Sequence, residues 1–385
     1  MGILSQSIKY ALKKMDIPLL CMCLMATCFG IVLIASATVG PTGGDWGNVI
    51  VQSAAMIIGV GLYVTFSIID IEHFAEKWWL FFAFDVVMIL LLATPLGVGK
   101  YGNKSWLDIP GVPFMIQPSE IVKLPFTILL AKQMAWFRQN RRMRGLDSLF
   151  WPAAHMGFMV LLIYAVSSDA GSALVYLMIY IGMAFAAGLP WYWFATGFVG
   201  AGVGILGLVI FDKVPSHMMS RFIALFNHNY DPQGVNWQQN RGIMALGSGG
   251  LFGQGLFNGI QTQSTNDWAL PERETDFIFC VAGEELGMVG CLAIILLEAV
   301  IIYRCFQTAR VAKTTMGSYI CVGLATMLMF QTIENIGMCL YIMPVIGLTL
   351  PFFSYGGSSI VTLLAAMGII SGVRSRTLPE WLRNS

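Results

Sequence analysis

Apolar runs of about 20 residues, the length that crosses roughly 30 Å of hydrocarbon, recur from one end of the chain to the other. Short polar connections carrying Gly and Pro separate them. The pattern predicts ten helices, at 17–38, 48–70, 78–98, 118–137, 150–167, 171–188, 190–211, 276–303, 314–340 and 352–373. One longer interval, 212–275, breaks the alternation. Its Trp, Phe, Tyr and Leu content argues against disorder and predicts short interfacial helices folded back over the mouth of the bundle. The fold class is an all-α polytopic membrane protein, a single domain over 1–385, with a large extracytoplasmic segment between helices 7 and 8. No internal repeat is visible, so the inverted-repeat signature of many secondary transporters is missing.

Composition strengthens this picture. The chain is 57% hydrophobic and 11% charged, against about 25% charged in ordinary soluble domains. A net charge of +1 without a basic block gives no reason to expect nucleic acid as a partner. The eight cysteines fall almost entirely within apolar runs and read as small core residues. Lys9, Lys13 and Lys14 precede the first run, and Ala35-Ser36-Ala37 resembles a cleavage site. That run is too long for an ordinary signal core, so it is expected to be a retained helix. Fourteen of the 22 Lys and Arg side chains fall on one set of loops: the N-terminus, Lys77, Arg138 to Arg144, Arg304/Arg310/Lys313, and the tail with Arg374, Arg376 and Arg383. The positive-inside bias makes that set cytoplasmic, with both termini inside.

Against so sparse a background, LPERETDFIFCVAGEELG (270–287) holds six charged side chains at the outer mouth of the eighth run. Asp276 is expected to open that helix, either as a helix-terminus acid or as a base or metal ligand in an outward cavity. Glu272 and Glu274 belong to the loop. IQPSEIVKL places Pro118 in a first helical turn and puts Glu120 and Lys123 on one face at i, i+3. They are either a structural ion pair near the interface or a pair facing a wet interior. Glu284, Glu285, Glu298, Asp85 and Glu334 lie deeper and could equally mark a proton or ion path. Asp169 starts the sixth helix near the same mouth, and PFFSYGGSS (351–359) opens the tenth with small residues. No Ser-x-x-Lys, no Walker A and no Gly-x-Gly-x-x-Gly unit with its accompanying acid is present.

GKYGNKSWLDIPGVPFMIQPSEIVKL, RFIALFNHNYDPQGVNWQQNRGIMALGSGGLFGQGLFNGIQTQ, LPERETDFIFCVAGEELG and MPVIGLTLPFFSYGGSS, in this order from about 15 to 376, resemble the shape, elongation, division and sporulation (SEDS) family. The GIQTQ and LPER run and the short tails are nearer its RodA-like elongation branch than its FtsW-like division branch, with SpoVE-like sporulation use also open. The resemblance implies a peptidoglycan glycosyltransferase of the bacterial cytoplasmic membrane. It would polymerise lipid II, an undecaprenyl-diphosphate-linked precursor, at the outer face, beside a class B penicillin-binding protein that supplies cross-linking. By motif, Asp276 takes the place of the family's essential aspartate, as base or as ligand of an activating divalent ion (Mg or Mn), and Glu120 and Lys123 join it as the catalytic set. Arg221, Gln238, Arg241, Asp169, Ser354, Tyr355 and Ser358 are the candidate substrate contacts. The chain departs from the family pattern at Glu274, where many relatives have His, at Ser105, where Arg is usual, and at Ser168-Asp169-Ala170-Gly171-Ser172. The competing functions are a lipid-precursor flippase or transporter and a non-catalytic scaffold.

Overall fold

The computed structural model describes residues 15–39, 44–100, 103–109, 115–140, 145–211, 216–227, 231, 234, 236–264 and 270–377. Lys9, Lys13, Lys14, Arg141, Arg142, Arg144 and Arg383 lie outside the described residues. The described chain is predominantly helical. In order run α1 (Ile17–Val39), α2 (Gly47–Ile68), α3 (Trp78–Leu90), α4 (Pro118–Gln139), α5 (Leu146–Ser167), α6 (Ala170–Ala187) and α7 (Trp191–Ile210). The short helices α8 (Ser216–Phe226) and α9 (Trp237–Gly249) follow, then α10 (Ile278–Val311), α11 (Thr315–Cys339) and α12 (Gly357–Thr377). A helix occupies each of the ten expected places. Among the described residues, α1, α2, α5, α6, α10, α11 and α12 are long and apolar enough to cross a membrane.

The helix ends follow local chemistry. Pro118 sits in the first turn of α4, where its missing N–H leaves no acceptor unsatisfied. Asp169 caps α6 by accepting from Ser172 N at 2.9 Å, and the Thr314 hydroxyl caps α11 by accepting from Gly317 N. The third predicted helix, 78–98, is shorter than expected. It tightens into a 3-10 turn at Leu91–Ala93 and stops, because Thr94 precedes Pro95 and takes an extended conformation. Residues 97–100 belong instead to a hairpin, β1 (Gly97–Lys100) antiparallel to β2 (Asn103–Leu107), with an isolated bridge from Leu107 to Ile116. The all-helical expectation is corrected to that extent. The tenth helix also begins later than predicted, at Gly357, because residues 351–354 form turns.

Burial runs opposite to simple hydropathy. The more apolar α7 sits on the periphery, with Phe198 84% exposed, whereas the Ser- and Gly-bearing α12 is buried along nearly its whole length. In hydrocarbon an apolar side chain gains nothing by leaving lipid, so small residues that allow close packing occupy the centre. A Cβ on Gly368 of α12 would stand 2.7 Å from Tyr63 Cα of α2, so only glycine permits that crossing. The Ala35-Ser36-Ala37 triplet is buried in the assembled bundle, where α1 packs on α10.

Helix α10 is broken within its third turn. Gly287 has φ +69° and ψ −162°, and the chain around 250–255 fills the break. Gln254 N and Gly255 N donate to the carbonyls of Glu284 and Glu285, both at 2.9 Å. In the other direction, Met288 N and Val289 N donate to Gly250 O and Leu251 O. Backbone polar groups freed at membrane depth must find partners inside the protein, and this segment supplies them. The expected short helices of 212–275 are α8 and α9, and α9 packs along α10.

Candidate functional site

Asp276 does not open α10, as its sequence position suggested; it stands two residues before it, in a run of turns from Pro271 to Phe277. Glu272 adopts φ +44°, which lets its carbonyl accept from both Thr275 N (3.2 Å) and Phe277 N (3.1 Å). Three further carbonyls of the turn are reached from other elements. Tyr355 N donates to Glu274 O at 2.8 Å, Ser354 Oγ to Thr275 O at 2.6 Å, and Asn335 Nδ2 to Asp276 O at 2.9 Å. Asn335 also donates to Leu348 O, and Gln52 of α2 braces the same loop through Ser354 O and Gly356 N. The backbone of Asp276 is therefore clamped, while among the described residues no hydrogen bond reaches its carboxylate.

Backbone strain gathers here. Of the five non-glycine residues with positive φ among the described residues, Ser168, Glu272, Tyr341 and Phe352 lie in the connections that bring the mouth together. Such conformations persist only where the surroundings over-determine them, and they cluster at functional sites.

Burial raises the Asp276 carboxyl to a pKa of about 7, with the negative charges of Glu272, Glu274 and Asp169 adding to it and Arg221 opposing. The half-buried Asp276 thus sits within electrostatic reach of Asp169 and Arg221. Arg221 is held on the loop 341–356 by donating to Val345 O at 2.8 Å. Arg241 and Gln238 are half-buried on α9. The adjacent Gln239 is buried and donates to Met338 O and Met343 O, pinning α9 to the end of α11.

Glu120 and Lys123 form a salt bridge at 5% and 0% exposure. The i, i+3 spacing brings them onto one face, and packing removes both from lipid. A relay of hydroxyls ties this pair to the mouth. Ser172 Oγ donates to Asp169 Oδ2 at 2.7 Å, which leaves Ser119 as the donor in its 3.1 Å bond to Ser172. Tyr176 OH donates to Ser119 O, and Gln117 N donates to Ser358 Oγ at 3.3 Å. Ser354 and Ser358 are themselves buried within these contacts, and Tyr355 is half-buried.

Glu284 and Glu285 have a different task. Glu284 accepts from Gln261 N, Thr262 N and Thr262 Oγ1 at 2.7–2.8 Å, and Glu285 from Ser36 Oγ, Gln263 Nε2 and Gly259 N. They anchor the segment that fills the break in α10. Among the described residues, Asp85 and Glu334 are buried without a hydrogen-bond partner, and Glu298 has only a 3.4 Å contact from Thr332. Among the described residues no group of three or more His, Cys, Asp or Glu side chains converges to cage a metal. A divalent ion at Asp276 would complete its shell with water and substrate oxygens.

The sequence reading missed Gln52, Asn335 and Gln239. The available signal was their polarity inside otherwise apolar runs, which is costly unless the group has a partner.

Fold and site together define a polytopic helical membrane protein with a clamped acidic mouth at one end of the bundle. A family model described as cell cycle protein, the FtsW/RodA/SpoVE family, matches residues 17–378, and the chain belongs to that family. It is 32% identical to stage V sporulation protein E of Bacillus subtilis, over 93% of this chain and 96% of that one. It is 30% identical to a probable peptidoglycan glycosyltransferase FtsW of Trichlorobacter lovleyi, over 94% of each. Among solved structures, it superposes on the rod shape determining protein RodA of Thermus thermophilus with a TM-score of 0.61 at 25% identity, covering 94% and 96%. A chain of a peptidoglycan synthase complex gives a TM-score of 0.76 at 24% identity, covering 94% and 98%. Sporulation, division and rod-shape proteins all match at these levels, so the assignment is to the family and not to one branch.

Proposed function

We propose that the chain is a peptidoglycan glycosyltransferase that extends glycan strands from lipid II at the outer face of the bacterial cytoplasmic membrane. The single observation that carries this reading is Asp276, a clamped carboxylate without a hydrogen-bond partner among the described residues, raised to about pKa 7 in an acidic mouth. A general base is most effective with its pKa near the working pH. Asp276 removes the proton from the acceptor sugar's 4-hydroxyl as that oxygen attacks the donor's anomeric carbon. The bond to the lipid diphosphate breaks, and direct displacement inverts the anomeric centre. Negative charge grows on the departing diphosphate; Arg221, within electrostatic reach of Asp276, is assigned to meet it, with Lys123 and Arg241 as further candidate cations. Glu120 holds Lys123, and Asp169, through Ser172 and Ser119, steadies the first turn of α4. The charge bias of the loops puts this mouth outside and both termini inside. A class B penicillin-binding protein is the expected partner for cross-linking, and a divalent ion, if one is used, would be held by the Asp276 carboxylate and would supply charge stabilisation for the leaving group.

The test is polymerisation of labelled lipid II by the purified chain, with and without such a partner and with and without Mg or Mn, resolved as a glycan ladder. A ladder lost in Asp276→Asn supports the reading. A ladder that persists removes Asp276 from the mechanism. The rival reading, transport of the lipid precursor, has the poorly partnered intramembrane acids Asp85, Glu298 and Glu334 in its favour. A flipping assay that shows movement across vesicles without polymerisation would establish it.

A further inference from the structure

The end of the bundle opposite Asp276 carries its own chemistry. Some of its cations are plainly structural. Asp16 is buried between Arg304 (2.7 Å) and Arg374 (3.2 Å), and Arg376 bridges to Asp70 and donates to Ile69 O. Arg138, Arg310 and Lys313 are used differently. Among the described residues none of the three has an ion pair, and all three line one cavity of about 310 Å³ at the ends of α4, α6 and α10 and the start of α11. This is the lower end of the range for small-molecule sites.

Among the described residues no carboxylate lines this cavity; the other polar lining groups are the hydroxyls of Thr314, Thr315, Ser318 and Tyr319. Arg138 is oriented by one bond, Nη1 to Ala187 O at 3.0 Å, which fixes its guanidinium at the carboxyl end of α6. Thr315 and Ser318 are in the first turn of the 25-residue helix α11, whose amino end favours anions. Glu72 bonds to the Thr314 hydroxyl and stands outside the lining. The same end of the bundle carries exposed tryptophans outside the cavity lining: Trp136, near the end of α4, is 51% exposed, and Trp191, just past the α6 terminus, is 78% exposed. Exposed tryptophans of this kind mark the headgroup level of a bilayer.

We propose that this cavity is a binding site for the phosphate of an anionic phospholipid headgroup, held by Arg138, Arg310 and Lys313. Basic pockets between membrane helices bind anionic headgroups by this combination of charge and donors. The site is independent of the chemistry at Asp276.

The experiment uses the purified full chain in mixed phosphatidylglycerol and phosphatidylcholine, with retained lipid counted by native mass spectrometry. The wild-type chain should retain phosphatidylglycerol in preference to phosphatidylcholine. Arg310→Gln with Lys313→Gln should weaken that retention about fivefold for each cation removed, and adding Arg138→Gln should weaken it further. Lys77→Gln, an exposed cation away from the cavity, should leave it unchanged. Because Arg310 and Lys313 are exposed, the double variant keeps the test intact if the Arg138 variant fails to fold. Equal retention of phosphatidylglycerol by the double variant, or of phosphatidylcholine by the wild type, overturns the proposal. Displacement of the lipid by millimolar soluble glycerol phosphate would identify a free phosphate ester as the occupant and overturn the lipid.

Discussion

Asp276 and the Glu284–Glu285 pair stand on the same stretch of chain, about two helical turns apart, and the fold treats them in opposite ways. Every oxygen of the two glutamates receives a hydrogen bond from the segment 259–263 or from Ser36. At Asp276 the backbone is clamped and, among the described residues, no hydrogen bond reaches the carboxylate. Depth is not what separates function from structure, since the glutamates are the more deeply buried. The separation lies in whether the protein has already used the group's hydrogen-bonding capacity. A carboxylate saturated by N–H and O–H donors is a brace; one held in position with its oxygens unclaimed can act on something else.

The sharpest way to break this comparison is Asp276→Asn. Polymerisation should fall by about 10²–10⁴-fold, the scale of general acid–base catalysis, while the thermal melting midpoint is held or raised. A melt that drops in parallel with activity would make Asp276 a brace as well.

Lys123→Met should do both kinds of damage. It leaves Glu120 buried without its cation, at a cost of about 3–5 kcal/mol, and it removes a cation from the site. Combining it with Glu120→Gln should recover the melting midpoint without recovering the glycan ladder. Recovery of both would make the pair purely structural.

Glu284→Ala should act on stability alone. It strips the acceptor from Gln261 N and Thr262 N, and bonds to charged groups of this kind contribute about 1.5–3 kcal/mol each. Chemical denaturation should show the loss, and hydrogen exchange should rise first in 254–263. The fraction that remains folded should keep the wild-type rate per molecule.

The smallest effect is a displacement along the pH axis. As a base Asp276 works deprotonated, so activity should rise with pH through about 7. Glu272→Gln removes one of the charges that raise this pKa, and the rising limb should move to lower pH by less than about one unit. Stability carries the opposite slope. With a folded pKa raised above 3.8, the folded state binds more protons than the unfolded one between about pH 4 and 7, so stability falls as pH rises across that window. Melts of Asp276→Asn across the same range should lack this component.

Much of the architecture was legible in the residues alone. Runs of apolar side chains mark ten helices because hydrocarbon thickness sets the length of each run, and the Glu120–Lys123 contact follows from helical spacing. The acid at the mouth of the eighth helix was legible too, because charge is rare in this chain. Three things were decided only by the tertiary structure. Residues just past the Thr94–Pro95 stop of the third helix joined a hairpin, since strand pairing of 97–107 claims positions that hydropathy alone assigns to a span. Glu284 and Glu285 became braces because their donors arrive from segments more than twenty residues away. The Asp276 carboxylate received no hydrogen bond among the described residues because Asn335, Ser354 and Gln52, from α11, the 341–356 loop and α2, bond the surrounding backbone and not its side chain. Local periodicity reports which face a side chain occupies; whether its hydrogen bonds are already spoken for depends on contacts between distant parts of the chain.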